Sequence, residues 1–273
     1  MTAWKFIVYF FDIIFSTLGT IVVLGLVSYL VERLYILLVG KTFGHRSILI
    51  TAVIGTPVHE MGHAVMCLIF GHRINELKLF SPRAQDGTLG HVNHSYNKRN
   101  LYHQVGNLFI GLGPIFSGVF IVSVLMLICF TDAWIGYAGN AANVLFGNEN
   151  IFGAITQAFK MPVNMITCEG RWWLKLIGIF FMLSVTMHIT LSPADIKGSW
   201  AGFIFYAILA LVFAIITSLF GVGVVDSIRA GLHTFALFTF ALFSVIFVCQ
   251  AIIIVISLLF YLIRLLIKAI FKK

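Results

Sequence analysis

Six stretches of this chain stay apolar over a length that crosses a lipid bilayer, and that feature dictates most of what it can fold into. A helix rises about 1.5 Å per residue, so about 20 apolar residues match a hydrocarbon core about 30 Å thick. Phe6–Leu30, Ser47–Phe70, Val105–Phe130, Trp172–Leu191, Trp200–Phe220 and Leu232–Ile263 all meet that requirement. The last is long enough to tilt or to run on along the interface. Backbone polar groups in hydrocarbon must be paired within the protein, so the expected fold is an all-α integral membrane protein with about six transmembrane helices. Only 10% of the 273 residues are charged, against about 25% in soluble domains. That excludes a water-soluble core, a disordered chain and a nucleic-acid binder built on basic patches. No repeat or low-complexity linker divides the sequence, so residues 1–273 form a single polytopic membrane domain. The first run is too long and too poorly flanked for a cleaved signal peptide. A compact chain without targeting signals points to a bacterial cytoplasmic membrane.

The formal charge of +8 needs no acidic partner, because membrane topology accounts for it. With six spans, the N-terminus, second loop, fourth loop and C-terminal tail together hold 11 of the 18 Lys and Arg, which predicts cytoplasmic termini. Arg264, Lys268, Lys272 and Lys273 strengthen this bias, lying close to a span end. The polar loop Gly71–Gln104 carries two strand-like runs, Glu76–Phe80 and Thr88–Tyr96, around a turn-forming cluster at Pro82–Gly87. A β-hairpin lying against the membrane is expected there. The Gly- and Asn-rich segment Thr131–Arg171 is expected as an outer loop with room for an interfacial helix. Cys67, Cys129, Cys168 and Cys249 show no paired spacing and are taken as small hydrophobes.

The chemistry concentrates in His59-Glu60-Met61-Gly62-His63. On a helix, positions i and i+4 share a face, so both imidazoles of an H-E-x-x-H can reach one metal ion. Glu60, beside the first ligand, can take a proton from a water whose pKa zinc lowers from 15.7 to about 7. Nine His and five Glu in a chain of this length give roughly 0.005 chance matches to the pattern. Three ionisable groups within five residues of a spanning helix are costly in lipid, so they should face a cavity or one another.

A catalytic zinc site has three protein ligands and an open position. The metzincin extension is absent, since Met66 and Ile69 stand where its Gly and His would be. Glu76, Glu149 and Glu169, the candidates for a gluzincin-type ligand, fall in loops. Asp195 is better placed, in Leu191-Ser192-Pro193-Ala194-Asp195-Ile196-Lys197-Gly198 after the fourth span. The second and fourth spans run in the same direction, so His59, His63 and Asp195 lie toward the same side. Pro193 can break the helix and let Asp195 turn inward; the alternative is a capping or interfacial acid beside Lys197. His188, about two turns earlier, can support the site as a donor behind a ligand or serve as a ligand itself. An equally open alternative is a histidine bonded to a neighbouring helix. His91 and His94 lie three apart in a strand-like run and so point to opposite faces. Asp12 is read as a partner for a buried polar group rather than as a catalyst.

Together these residues resemble the site-2 protease family of intramembrane metalloproteases. Members carry H-E-x-x-H in one helix, an Asp two helices later, and a substrate-guiding hairpin between. Gly111-Leu112-Gly113-Pro114 looks like the Gly-Pro segment that follows the hairpin. The likeness covers residues 47–198, leaving 1–46 and 199–273 as accessory spans. It implies one Zn²⁺ held by His59, His63 and Asp195, with Glu60 as general base. It also implies a guiding loop at Thr88, Leu89, Gly90, His91, Val92 and Asn93. The family's Asn-Pro-x-x-Leu-Asp-Gly surroundings are here Ser-Pro-Ala-Asp-Ile-Lys-Gly, and no PDZ-like insertion is present. The implied activity is endoproteolysis of membrane-anchored protein or peptide substrates in or near their transmembrane segment. The competing class is a non-proteolytic membrane protein, either a pseudoprotease or an ion-binding transporter using the same His and Asp residues; an intact Glu60 argues against a dead enzyme.

Overall fold

The computed structural model describes residues 2–82, 88–145 and 151–271. The expected turn at Pro82–Gly87 lies outside them except for Pro82, as do Lys272 and Lys273 of the basic tail. Among the described residues, nine α-helices and one two-stranded antiparallel hairpin make up the fold. Five helical stretches are long and apolar enough to cross a membrane: Ala3–Phe43, His45–Ile69, Leu101–Cys129, Pro193–Leu219 and Val222–Ile270. They turn large apolar side chains outward, Leu30, Leu68, Phe120, Leu219 and Leu266 among them. Such a surface suits lipid, and the chain is an integral membrane protein.

The first run is longer than expected. Helix α1 (Ala3–Ile14) passes through a π-helical turn at Phe15–Gly19 into α2 (Thr20–Phe43), 41 residues in one continuous rod. A 3₁₀ turn leads into α3 (Leu49–Ile69), then come strands β1 (Arg73–Lys78) and β2 (His91–Ser95), and α4 (Leu101–Cys129). Pairing runs from Arg73↔Ser95 to Lys78↔His91, with a bulge between Ile74 and Glu76. The hairpin is therefore where expected, but its first strand begins three residues earlier. The segment expected as an outer loop is instead two helices, α5 (Thr131–Leu145) and α6 (Ile151–Thr167), packed on each other and on α9 (Val222–Ile270). Tyr137 anchors them, its hydroxyl reaching the carbonyls of Ala241 and Leu242, each at 2.9 Å.

The fourth apolar run departs most from expectation. Its helix, α7, covers only Trp172–Thr186, and α8 begins at Pro193 and continues to Leu219. At about 1.5 Å per residue, α7 spans about 22 Å, short of the hydrocarbon core. Pro193 has no N–H to continue the helix and pushes Ser192 into an extended conformation, ψ 157°. Residues between the two helices are buried all the same, Ile189 and Leu191 almost completely. Unwound backbone at such depth must find other partners. Gln250 Nε2 donates to the Thr186 carbonyl at 2.9 Å, and Leu191 N–H reaches the Gly25 carbonyl at 3.4 Å.

The largest core cluster lies where α2, α4, α7 and α9 meet, around Leu24, Leu112, Met126, Met182 and Ile246. A smaller one, with Tyr9, Ile13, Ala214 and Val225, joins α1, α8 and α9. Beside it Asp12 pairs with Arg229 at 2.7 Å; the partner expected from the sequence was a buried polar group, and this one is a partly exposed arginine. Helix α9, about 74 Å long by its 49 residues, overruns any bilayer; its end follows α2, where Arg264 donates to the Thr42 carbonyl at 2.7 Å. Helices α3 and α4 pack most extensively. They touch at Gly62 and Gly113, where a Cβ on either would collide with the other's carbonyl oxygen.

Candidate metal centre

Helix α3 brings His59 and His63 onto one face, with ring centroids 5.0 Å apart and Nε2 atoms 3.2 Å apart. The third group comes from the start of α8. Asp195 Oδ1 lies 3.1 Å from His63 Nε2, and Oδ2 lies 3.9 Å from His59 Nε2. Asp195 is also the third helical residue of α8 and closes a capping box: Ser192 N–H donates to Oδ2 at 2.8 Å, and Asp195 N–H donates to Ser192 Oγ at 3.2 Å. The ligand and capping roles weighed from the sequence are thus not alternatives. The cap fixes the carboxylate where it faces the two imidazoles.

Each imidazole is oriented by a carbonyl left over from an interrupted helix. Pro114 lacks the N–H that would bond to Ile110 four residues back, so that carbonyl is open, and His63 Nδ1 meets it at 2.7 Å. His188 lies in the unwound stretch after α7, and its carbonyl meets His59 Nδ1 at 2.9 Å. A carbonyl only accepts, so both Nδ1 atoms carry a proton, and in the neutral rings it is the Nε2 lone pairs that face Asp195. Two Nε2 atoms and a carboxylate thus converge, an arrangement held together by a cation among them or by a proton shared between His63 and Asp195. Tetrahedral zinc with ligands at about 2.0–2.2 Å separates them by about 3.4 Å, close to two of the three distances here. Ligand histidines that donate their other nitrogen to a carbonyl are the usual arrangement around a metal. His59, His63 and Asp195 form a group that can hold a metal ion.

Glu60 is buried, with 7% of its surface exposed, and lines the same cavity of about 920 Å³ as the three donors. Thr88, Leu89, Gly90, His91 and Val92 also line it, so five of the six expected guiding-loop residues border the site. The sixth, Asn93, is exposed and pairs with Glu76 in the ladder. Gly90 lies over Glu60: a Cβ there would come within 2.8 Å of Glu60 Cγ and 2.9 Å of Thr56 Cγ2. Any larger residue would force Glu60, Thr56 or the hairpin to shift.

Glu32 escaped the sequence reading. It lines the cavity from α2, accepts from Thr190 Oγ1 at 3.0 Å and pairs with His188 Nδ1 at 3.2 Å. It ties down the unwound stretch whose carbonyl orients His59. The signal was present: it is one of ten acids and sits just past the first apolar run. His188 acts through its carbonyl and ring as a support, not among the three converging donors.

The hairpin sorts its histidines as strand alternation requires. His91 faces Glu76 at 3.3 Å, and Lys78 and His91 hold that carboxyl below its usual range. His94 turns the other way, its Nδ1 3.1 Å from His72 Nδ1. Burial keeps both His72 and His94 below the ordinary histidine pKa, His94 further so because of His72 beside it. With Cys67 they make a second group of converging donor atoms.

Compared with protein-family models, curated proteins and solved structures, the chain matches none.

Proposed function

We propose that this protein is a zinc-dependent intramembrane endopeptidase of the site-2 protease type, cleaving membrane-anchored substrates in or near their transmembrane segment. The observation that carries this reading is the convergence of His59 Nε2, His63 Nε2 and the Asp195 carboxylate beside buried Glu60, all on one cavity within apolar helices. Zinc held by these donors would supply a Lewis acid for the scissile carbonyl and make a water acidic enough to attack it near neutral pH. Glu60 takes the proton of the attacking water and returns it to the departing amine.

A substrate helix must unwind before its amides are accessible. The extended run from Thr88 to Val92 borders the cavity and offers backbone groups for an added strand, which would hold the substrate stretched across Glu60.

The decisive comparison uses cells carrying wild type or Glu60→Gln. Membrane proteomics should show full-length substrates accumulating in the variant and released fragments only in wild type, while the purified variant retains its metal. Equal fragment patterns, or cleavage by purified Glu60→Gln at the wild-type rate, would sink the mechanism. Absence of stoichiometric metal from purified wild type would favour a non-proteolytic membrane protein.

A further inference from the structure

The C-terminal end of α3 is built to bring two non-adjacent side chains together. Gly71 adopts φ +68°, a conformation that suits glycine. It lets His72 N–H bond to the Cys67 carbonyl at 2.8 Å and Gly71 N–H to Leu68 at 3.2 Å. This pairing of 6→1 and 5→2 bonds is the Schellman motif, in which the residues at these two positions touch. They are usually both apolar. Here they are Cys67, fully buried, and His72, 4% exposed.

The hairpin supplies a third group. His94 is paired with Ile74, so the alternation of β1 puts it on the same face as His72, two residues earlier. His72 Nε2 meets the His103 carbonyl at 2.9 Å, which places the proton there and leaves Nδ1 bare. That nitrogen lies 3.1 Å from His94 Nδ1, and Cys67 Sγ lies within 4.8 Å of a ring nitrogen of each histidine. This is the same device seen at His59 and His63: one ring nitrogen held by a main-chain carbonyl, the other turned toward neighbouring donors. One thiol and two imidazoles suit a borderline or soft cation such as zinc and do not suit magnesium or calcium.

We propose that Cys67, His72 and His94 bind a second metal ion of the zinc class, which clips the hairpin to the end of α3. Cys67 lies one helical turn beyond His63, and His94 shares β2 with His91, next to Gly90. The clip therefore fixes the strand that overhangs Glu60. It is a fastening and does not depend on the peptidase reading.

Cobalt(II) chloride is the probe, added to chelator-stripped, full-length protein in detergent. A thiolate ligand gives cobalt an intense near-ultraviolet charge-transfer band, which a His, His, Asp site lacks. Wild type should take up two equivalents and develop that band. Cys67→Ser should lose the band and one equivalent; His63→Ala should lose one equivalent and keep the band. Saturation of wild type without a thiolate band overturns the proposal, leaving a hydrogen-bonded imidazole pair. A band that persists in Cys67→Ser does the same. Because the wild-type spectrum is itself decisive, the test holds even if Cys67→Ser folds poorly; His94→Gln then supplies the second variant, with the same loss expected.

Discussion

One helical turn separates two donor clusters on α3 that are made in the same way and furnished differently. In each, a main-chain carbonyl takes one imidazole N–H and turns the other nitrogen inward: Ile110 and His188 serve His63 and His59, and His103 serves His72. The third donor differs. It is a carboxylate opening on a cavity of about 920 Å³ with Glu60 at its edge in the first cluster, and a fully buried thiol in the second. Both clusters offer three protein donors, the number found in zinc sites that keep an open position, but only the first has Glu60 beside it. The comparison teaches that the way a ligand is held does not decide what a site does. Room beside the ion and a base to use it do.

The sharpest way to break the comparison is to remove one site and watch the other. Asp195→Asn retains an oxygen that can accept from Ser192 N–H, so the start of α8 should stay capped, but the amide is a poor metal ligand. Metal at the first centre should be lost and cleavage with it, while a Cys67-dependent cobalt band remains. Loss of both metals together would mean that the two clusters are one cooperative unit. Next in size is Glu60→Gln, for which both centres should keep their metal. The rate should fall about 10²- to 10⁴-fold, the usual contribution of a positioned general base, read as turnover of a reconstituted single-span substrate.

What could be read in advance follows the same division. His59 and His63 are legible because a regular helix converts spacing into direction, and Asp195 because acids are few and Pro193 marks a break. The hairpin was legible from its turn residues, though not its bulge at 74–76, which shifts the ladder. The unwound stretch between α7 and α8 was not, because its residues are as apolar as a span; hydropathy counts side chains and cannot see that backbone groups there bond to Gly25, His59 and Gln250. Glu32 was missed for the same reason, since its partners belong to that stretch. Cys67 looked like a small hydrophobe because its neighbour arises from a helix cap, a relation that no periodicity encodes. Segment 131–171 reads as an outer loop with room for an interfacial helix, and two helices packed against α9 fill it instead.

Pro114→Ala gives a smaller effect whose sign separates site from scaffold. Alanine restores an N–H that competes with His63 Nδ1 for the Ile110 carbonyl. Loss of such an outer partner typically lowers metal affinity about 10- to 100-fold. In the same variant the helix should gain, since proline inside a helix costs about 3 kcal/mol relative to alanine. Weaker cobalt binding at the first centre together with an unchanged or higher melting temperature is the expected pair of results. Affinity equal to wild type would show that His63 needs no carbonyl to hold its orientation.

Glu32→Gln is expected to have the least effect. Glu32 touches neither the three donors nor the reacting groups; it acts through residues 188–190 by two contacts, one to Thr190 Oγ1 and one to His188 Nδ1. Glutamine offers one amide oxygen, so it can retain one contact and must give up the charge. The stretch that presents the His188 carbonyl should loosen without unfolding. First-centre affinity should fall about tenfold, at the low end of the range for outer partners, and Glu32→Ala should lower it further. The thiolate band at Cys67 is the internal control, because its carbonyl comes from His103 on α4 and not from the unwound stretch. If Glu32 merely packed α2 against its neighbours, both variants would lower the melting temperature and leave the first centre's affinity untouched. A graded loss of affinity, Gln before Ala, with the second site unmoved, is what a positioning role requires.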